Sequence, residues 1–253
     1  MITLTKDLLN IKVFETREKM GEVAAKEAAE CICELLKKKN EINLVFAAAP
    51  SQNDFLKSLS LHKEIAWDRI NGYHMDEYVG LDKEDPQSFG YYLNQHIFGL
   101  VPFKSVHYIA KNGLPADEIC RSYCDGLRQI HIDIVCMGVG ENGHIAFNDP
   151  HVANFNDPEI AKVVELDEVC RMQQVHDGCF LSLDKVPTHA ITLTIPTLLS
   201  ADRIFNIVPT ERKAEAISNI IRGEITEKCP ASILRKHKAT TLYLDRESSK
   251  FII

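Results

Sequence analysis

Apolar side chains follow two alternating patterns along the chain. Residues 16–39 place them three and four positions apart, which predicts an amphipathic helix ending near Asn40. Residues 42–48 form a short continuous apolar run, which is typical of a buried strand. Further helices are predicted over 51–60, 88–98, 115–130 and 210–222, and further strands over 69–75, 106–110, 132–138, 191–195, 203–208 and 240–244. This alternation predicts a mostly parallel sheet covered by helices.

The pattern weakens over residues 150–187, where Asn, Asp and Gly interrupt any periodicity. We interpret this segment as long loops beside an active site, with room for a short hairpin, and not as a linker between domains. No repeat or low-complexity tract divides the chain. We therefore predict one α/β domain over residues 1–253, built on an open, mostly parallel, Rossmann-like sheet that carries helices on both faces.

Composition narrows the classes of protein that fit this pattern. A chain of 253 residues with 45% hydrophobic content can bury a sizeable core. The formal net charge of −7 argues against nucleic acid and anionic membranes as partners. No apolar run approaches the roughly 18 residues of a membrane span, and no basic-then-apolar segment opens the sequence. We expect a soluble, cytoplasmic protein.

The eight cysteines and ten histidines do not indicate a metal site. The cysteines form no C-x-x-C pair, and most lie within apolar patterns, where a free thiol acts as a small hydrophobic group. The histidines form no H-E-x-x-H or similar ligand-spaced pair. We therefore expect free thiols and no bound metal.

Candidate chemistry is concentrated where predicted strands end. The strand over 132–138 runs into a turn with three glycines between positions 138 and 143, surrounded by ionisable and amide side chains. Open α/β sheets bind ligands at such strand exits. The spacing also matches the G-x-G-x-x-G dinucleotide motif, but residues 147–150 would break the helix that this motif requires. We therefore favour a polar site over a dinucleotide site.

A second polar exit follows the predicted strand over 69–75. Asp76 and Glu77 are adjacent carboxylates just past its end. Successive side chains of an extended chain point to opposite faces, so the two acids are not expected to share one role. Two polar exits from one sheet indicate a common site at its edge.

Segments at both exits resemble the signature segments of the glucosamine-6-phosphate deaminase family. They are residues 74–81, which read HMDEYVGL, and residues 140–150, which read GENGHIAFNDP. Residues 193–199, followed by residues 208–214, resemble a third block of that family. The resemblance implies an enzyme that converts an amino-sugar 6-phosphate, such as glucosamine or galactosamine 6-phosphate, to a ketose phosphate and ammonia. It also implies general acid–base chemistry that needs no cofactor.

The resemblance assigns four residues to catalysis. Asp76 corresponds to the base that moves a proton from C2 to C1. His144 corresponds to the imidazole that carries the ring-oxygen proton during ring opening, a role that suits a side chain able to exchange protons near neutral pH. Asn142 and Asp149 correspond to positions that orient this histidine. Asn142 can hydrogen-bond the ring but supplies no charge, which leaves Asp149 as the charge partner.

The resemblance also points to residues that contact the substrate and its phosphate. The glycine-rich first loop of the family corresponds here to residues 47–53, which contain no glycine. Ser51 is expected to cap the following helix, whose N-terminus would attract the anion. Lys213 corresponds to the family's phosphate lysine, and Arg171 is the nearest candidate for a second cation. The expected contacts are Ser51, Gln52, Glu77, Gly140, Gly143, Arg171 and Lys213.

Two other functions stay open at this point. Lactonases that act on 6-phosphogluconolactone carry a turn similar to residues 140–144, although they lack the continuation over 147–150. A non-catalytic sugar-phosphate-binding domain would have the same fold, but it would not need both Asp76 and His144. The sequence does not identify the sugar epimer, allosteric control or the subunit number, and a homo-oligomer is one outcome.

Overall fold

An open sheet of eight strands forms the centre of the molecule in the computed structural model, which describes residues 1–110 and 113–253. In spatial order the strands are β1 (Ile2–Lys6), β2 (Leu9–Val13), β11 (Thr240–Leu244), β10 (Arg203–Val208), β7 (Ile134–Met137), β3 (Ile42–Phe46), β4 (Ile70–His74) and β6 (Ser105–His107). β1 and β2 pair antiparallel, and every other neighbouring pair is parallel. The predicted mostly parallel sheet is therefore confirmed.

Helices connect these strands and cover both faces of the sheet. They are α1 (Arg17–Leu36), α2 (Asn53–Ser60), α3 (Phe89–Leu93), α4 (Ala116–Leu127), α5 (Glu168–His176), α6 (Ile195–Leu199) and α7 (Ala214–Arg222). Single turns of 3₁₀-helix cover Pro50–Gln52, Trp67–Arg69, Leu183–Lys185 and Glu211–Lys213, a longer one covers Pro230–Lys236, and α3 continues as a π-helical turn over Asn94–Phe98.

The core is divided by the sheet into two apolar layers. One layer packs α1 and α2 against β3, with Ile32, Leu44 and Phe55 among its fully buried side chains. The other packs α4 and α7 against the opposite face, where Val135 and Ile217 are fully buried. The central strands β3, β4, β7 and β10 are buried on both faces, which explains why they appear in the sequence as continuous apolar runs.

A smaller antiparallel sheet lies beside the carboxyl end of β4. It consists of β5 (Asp76–Tyr78), β9 (His189–Leu193) and β8 (Ala161–Glu165), in that order. β5 begins two residues after β4 ends, so the chain passes from the large sheet into the small one at the second polar exit. This arrangement fixes Asp76 at the edge shared by the two sheets.

The strand order reverses between β3 and β7, and this reversal places the site. β3 pairs with β4 on one side and with β7 on the other, so the connections that leave β3 and β7 diverge above the sheet. A crevice opens at such a switch point at the carboxyl ends of parallel strands. Residues 47–53 and 138–149, which follow these two strands, form its walls.

The interpretation of residues 150–187 as loops is wrong in two places. β8 forms an edge strand of the small sheet, and α5 follows it directly. Asp167 caps α5, because its side chain accepts a hydrogen bond from the main-chain N–H of Cys170. The sequence analysis also predicted neither the β1–β2 hairpin nor α6.

Several element boundaries differ from the prediction for local reasons. Thr16 caps α1 through the N–H of Lys19, so the first helix starts at Arg17. Ser51 caps no helix; its hydroxyl accepts a hydrogen bond from the side chain of Gln52 instead, which corrects the capping role expected for it. Within residues 1–110 and 113–253, no helix combines the length and apolar character needed to cross a membrane.

Candidate active site

A polar cleft of about 490 Å³ opens at the strand-order reversal. The polar side chains in its lining are Ser51, Asp76, His144, Gln173, Gln174 and Lys213. Both polar strand exits found in the sequence therefore contribute to one site.

Asp76 is held in the cleft by the small sheet. It lies on β5, opposite Thr192 of β9, and only 6% of its surface is exposed. The main-chain oxygen of Asp76 accepts a hydrogen bond of 2.8 Å from Nδ1 of His74. Burial raises the pKa of the Asp76 carboxyl well above its usual range, and the neighbouring charge of Glu77 raises it further. A carboxylate with a raised pKa is a stronger base.

Glu77 does not reach the cleft, which corrects its expected place among the substrate contacts. Its carboxylate is buried on the other side of β5 and accepts hydrogen bonds from the main-chain N–H groups of Tyr78, Phe89 and Gly90 at 2.8 to 3.0 Å. Burial raises its pKa to about 7 despite these donors. The residue therefore anchors the start of α3 to β5.

The ring of His144 is oriented by two oxygen atoms. Its Nδ1 lies 2.7 Å from Oδ1 of Asn142 and 2.9 Å from Oδ1 of Asp149. Asn142 also accepts a hydrogen bond from the main-chain N–H of His144 and donates one to Asp149, each at 3.0 Å. Because both oxygens face Nδ1, this nitrogen carries the proton. Nε2 is then the nitrogen available to a substrate.

Asp149 is fully buried and ionised. Burial acts to raise the pKa of its carboxyl, but the charge of His144 and the hydrogen bonds from His144, Asn142 and the N–H of Asp167 outweigh that effect and lower it. The carboxylate can therefore stabilise a positive charge on the imidazole ring. This arrangement supports the charge-partner role that the sequence suggested for it.

Gly140 and Gly143 serve different purposes in this turn. A Cβ atom at Gly140 would lie 2.1 to 2.4 Å from atoms of the His144 ring, so only glycine leaves room for the imidazole there. Gly140 also lines the cleft. Gly143 adopts a φ of +85° and packs against the side chain of Cys229, outside the cleft lining. Gly143 shapes the turn and does not line the cleft.

Lys213 brings a buried cation to one end of the cleft. Its Nζ has no hydrogen-bond partner in the part of the chain that the structure describes. Burial lowers the pKa of this amine, while the charges of Asp177 and Glu141 oppose that shift. A buried, unpaired cation destabilises a folded protein unless a ligand pairs with it. Lys213 is therefore the strongest candidate to hold an anionic group of the substrate.

The first loop, residues 47–53, forms the wall beside this cation. Ser51 lines the cleft, whereas Nε2 of Gln52 donates to the main-chain oxygen of Ile207 at 3.1 Å. Arg171 lies elsewhere: its guanidinium donates to the main-chain oxygens of Leu183 and Val186. The structure thus does not bring Arg171 or Gln52 into the cleft lining.

Two cleft residues were missed by the sequence analysis. Gln173 and Gln174 project from α5, a helix that the sequence did not predict. Oε1 of Gln173 accepts a hydrogen bond of 2.9 Å from the N–H of Glu141, which fastens α5 to the histidine turn. Glutamines six and seven positions after a capping aspartate carry no motif of their own. Asp167 is a residue type that often caps helices, and it was the signal in this segment that could have indicated the start of α5.

One group of side chains in the site has the composition of metal ligands. Nδ1 of His144, a carboxylate oxygen of Asp149 and Sγ of Cys170 lie within 4.8 Å of one another. The ring nitrogen and the carboxylate are already hydrogen-bonded to each other, and burial together with the charge of Asp149 raises the pKa of the Cys170 thiol. The absence of a metal stays a prediction.

Known proteins are similar to this chain over almost its whole length. The profile of a family described as glucosamine-6-phosphate isomerases/6-phosphogluconolactonase matches residues 15–243. Glucosamine-6-phosphate deaminases of Bacillus cereus and Bacillus anthracis are 34% identical over 242 residues, which is 95% of this chain and 88% of theirs.

Solved structures agree on the fold. The structure of a monomeric glucosamine-6-phosphate deaminase superposes with a TM-score of 0.85 at 31% identity, covering 95% of this chain and 98% of that one. A 6-phosphogluconolactonase from Thermotoga maritima gives a TM-score of 0.76 at 20% identity, covering 94% and 99%. At that lower identity the likeness concerns the fold alone.

Proposed function

This chain belongs to the family of glucosamine-6-phosphate isomerases and 6-phosphogluconolactonases, and we propose that it is an amino-sugar-phosphate deaminase with glucosamine 6-phosphate as its first candidate substrate. The observation that carries the proposal is the pairing of Asp76 and His144 across one cleft. Deamination with isomerisation needs a carboxylate base and a separate proton shuttle. Lactone hydrolysis needs no base at C2, so it leaves Asp76 without a task.

Ring opening is the step we assign to His144. Nε2 takes the proton from the C1 hydroxyl and returns it to the ring oxygen, which breaks the bond between C1 and that oxygen. The ring carries an extra proton between these two transfers, and the buried carboxylate of Asp149, 2.9 Å from Nδ1, stabilises that charge. The product is the open-chain amino aldehyde.

Isomerisation is the step we assign to Asp76. Its carboxylate removes the proton from C2 while the aldehyde oxygen takes a proton from the solvent, which gives an enolamine. The resulting carboxylic acid delivers the proton to C1 and leaves an iminium group at C2. The raised pKa of Asp76 suits both transfers, because the group must accept a proton and then release it.

Deamination completes the reaction without further protein groups. Water adds to the iminium carbon, ammonia leaves, and the ketose phosphate remains. Overall, one amino-sugar phosphate and one water give one ketose phosphate and one ammonia. All bonds change by proton transfer and addition, so the residues in the cleft account for the chemistry.

Lys213 is assigned to the phosphate end of the substrate. Its unpaired Nζ and the hydroxyl of Ser51 line the same cleft, together with residues 47–49. A charge-assisted hydrogen bond in a buried site is stronger than a neutral one. We assign to Lys213 and Ser51 the phosphate contacts that the glycine-rich loop makes in the family.

We also propose a cytoplasmic location and a single-domain organisation. All eight cysteines are free in the structure, which fits a reducing compartment. The large sheet takes its strands from residues 2 to 244, which leaves no room for a domain boundary between them. Light scattering would determine the subunit number.

A side-by-side assay tests the proposed activity. Purified protein is incubated with glucosamine 6-phosphate, galactosamine 6-phosphate and 6-phosphogluconolactone, and ammonia, ketose phosphate and 6-phosphogluconate are measured. We expect ammonia and ketose phosphate in equal amounts from one or both amino sugars. Hydrolysis of the lactone with no ammonia from either amino sugar would contradict the proposal.

A further inference from the structure

We propose that Asp167 is a positioning residue that fixes the amide of Asn142 and, through it, the protonation of His144. Asp167 lies between β8 and α5, outside the cleft lining, and neither the sequence motifs nor the family comparison assigns it a role. The inference deepens the proposed function, because it concerns how the same histidine is held ready for proton transfer.

The side chain of Asn142 uses both ends of its amide. Oδ1 accepts hydrogen bonds from the main-chain N–H and from Nδ1 of His144, at 3.0 and 2.7 Å. Nδ2 donates to Oδ1 of Asp149 and to Oδ2 of Asp167, both at 3.0 Å. Rotating the amide by half a turn would place Oδ1 against two carboxylates and Nδ2 against a main-chain donor. The two acids therefore select one orientation of Asn142.

That orientation determines which nitrogen of His144 carries the proton. With Oδ1 of Asn142 directed at it, Nδ1 meets two acceptors and must be the protonated nitrogen. Nε2 is then left with its lone pair toward the cleft, as the shuttle role requires. A reversed amide would present a donor to Nδ1 and favour the opposite tautomer. Asp167 is the acceptor that holds the amide from the side away from the ring.

Asp167 is itself rigidly placed. Its Oδ1 accepts a hydrogen bond of 2.6 Å from the N–H of Cys170 at the start of α5, and its own N–H donates to Oδ2 of Asp149 at 3.4 Å. One carboxylate thus joins the first turn of α5 to the histidine turn. A side chain that is fixed at both oxygens can orient its neighbour without losing further conformational entropy.

The simpler alternative is that Asp167 only caps α5, and two variants separate the roles. Serine and asparagine are as good as aspartate at a helix N-cap. In Asp167→Ser the short hydroxyl caps the helix but does not reach Asn142, and in Asp167→Asn the oxygen caps the helix while the amide nitrogen faces the Nδ2 donor. Both variants keep the cap and remove the acceptor.

The experiment measures tautomer and kinetics on the full-length protein. Long-range proton–nitrogen spectra of histidine-labelled protein without substrate report which ring nitrogen of His144 is protonated. We expect the wild type to hold the Nδ1–H form and Asp167→Ser to show a mixture. We also expect kcat to fall on the order of 10- to 100-fold, as for residues that orient a functional histidine. KM should change little, because Asp167 does not line the cleft.

Two further variants complete the test. Thr16→Ala removes the exposed cap of α1 and should lower stability without changing the tautomer or kcat. Asp167→Asn combined with Asn142→Asp reverses the direction of the hydrogen bond between them and should recover part of the kcat lost in Asp167→Asn. An unchanged His144 tautomer and a wild-type kcat in both Asp167 variants would overturn the proposal. The spectra need no substrate, so they test the positioning role of Asp167 even if the assay for deamination fails.

Discussion

At the scale of single residues, the site depends on a hydrogen atom in place of a side chain. The α-carbon of Gly140 is so close to His144 that a methyl group would overlap all three of the nearest ring atoms. We expect Gly140→Ala to push the ring away from Asn142 and Asp149. A displacement of about 1 Å in a catalytic group costs on the order of 100-fold in rate, so kcat should fall by at least that factor.

Gly126 provides the matched control for this substitution. It lies on α4, and a Cβ added there meets no atom within 4 Å. Gly126→Ala should therefore leave kcat unchanged and stabilise the helix by about 1 kcal/mol. Steady-state kinetics and thermal unfolding of both variants check the pair. A folded Gly140→Ala protein with a wild-type kcat would show that the ring does not need its present position.

The base role of Asp76 makes a prediction about pH. The carboxylate is active only when ionised, and burial together with the charge of Glu77 raises its pKa well above the usual range. We expect kcat/KM to fall as the pH decreases through that raised value. Glu77→Gln removes the second cause, so this acid limb should move to lower pH. If the acid limb does not move, the charge of Glu77 does not raise the pKa of Asp76.

Isotope exchange tests the same role directly. In deuterated water the wild type should place solvent deuterium at C1 of the ketose product, because Asp76 exchanges its proton with solvent before returning it. Asp76→Asn should abolish ketose formation and this exchange, while substrate binding measured by calorimetry persists. Exchange at the wild-type rate in the variant would assign the C2 proton to another group.

At the scale of elements, the 3₁₀ turn Glu211–Lys213 places a cation in the cleft at a cost in stability. Lys213 is 5% exposed and its Nζ is unpaired. We expect Lys213→Met to raise the melting temperature, because it removes a buried unpaired charge. It should also raise KM about 10- to 100-fold, which corresponds to the roughly 1.5–3 kcal/mol of one charged hydrogen bond.

Arg212→Met is the control for Lys213→Met, since Arg212 is the exposed neighbour on the same turn. It should change neither quantity. Added phosphate should stabilise the wild type against heat but not Lys213→Met, because a ligand stabilises only the protein that binds it. Equal stabilisation of both would place the anion elsewhere.

Element α5 shows why part of the site could not be predicted. Its buried face consists of Cys170, Gln173 and Gln174, so two of three inward positions are polar. An amphipathic helix is recognised by apolar residues on its inner face, and this helix faces a polar cleft instead. By contrast, the strands that lead to the site are buried on both faces, and their sequences indicate this directly.

At the scale of the whole molecule, the sequence predicted where chemistry would occur because topology and pattern agree. Alternating helices and apolar strands fix a parallel sheet, and the carboxyl ends of its strands meet at one edge. The sequence could not predict which of the candidate contact residues line the cleft. The directions of Glu77 and Arg171 depend on hydrogen bonds to main-chain groups 12 to 15 residues away along the chain.

His74 links this architecture to the pH dependence of global stability. The ring is completely buried where β4 leaves the large sheet; Nδ1 donates to the main-chain oxygen of Asp76, and Nε2 accepts from the N–H of Ile109. Burial lowers its pKa from 6.5 to about 4. The folded protein therefore holds His74 neutral in a range where the unfolded chain protonates it.

The sign of the effect follows from that difference. Above pH 6.5 the contribution of neutral His74 to the free energy of unfolding is fully present, and it is lost as the pH falls toward 4. The loss amounts to about 3 kcal/mol, because one pKa unit corresponds to roughly 1.4 kcal/mol. Asp76 and Glu77 have raised pKa values and act in the opposite direction over part of this range. The net stability curve therefore does not isolate the histidine.

The contribution of His74 is isolated by the difference in unfolding free energy between the wild type and a variant without this histidine. We expect His74→Gln to reduce the free energy of unfolding strongly at pH 7, because it disturbs both hydrogen bonds, and much less at pH 4.5, because the wild type has by then lost most of the same contribution. His189→Gln, at an exposed position, is the control for the loss of a histidine. Urea unfolding of the three proteins at several pH values measures these differences. A constant difference for His74→Gln would mean that His74 does not titrate on unfolding and that the acid sensitivity of the fold has another origin.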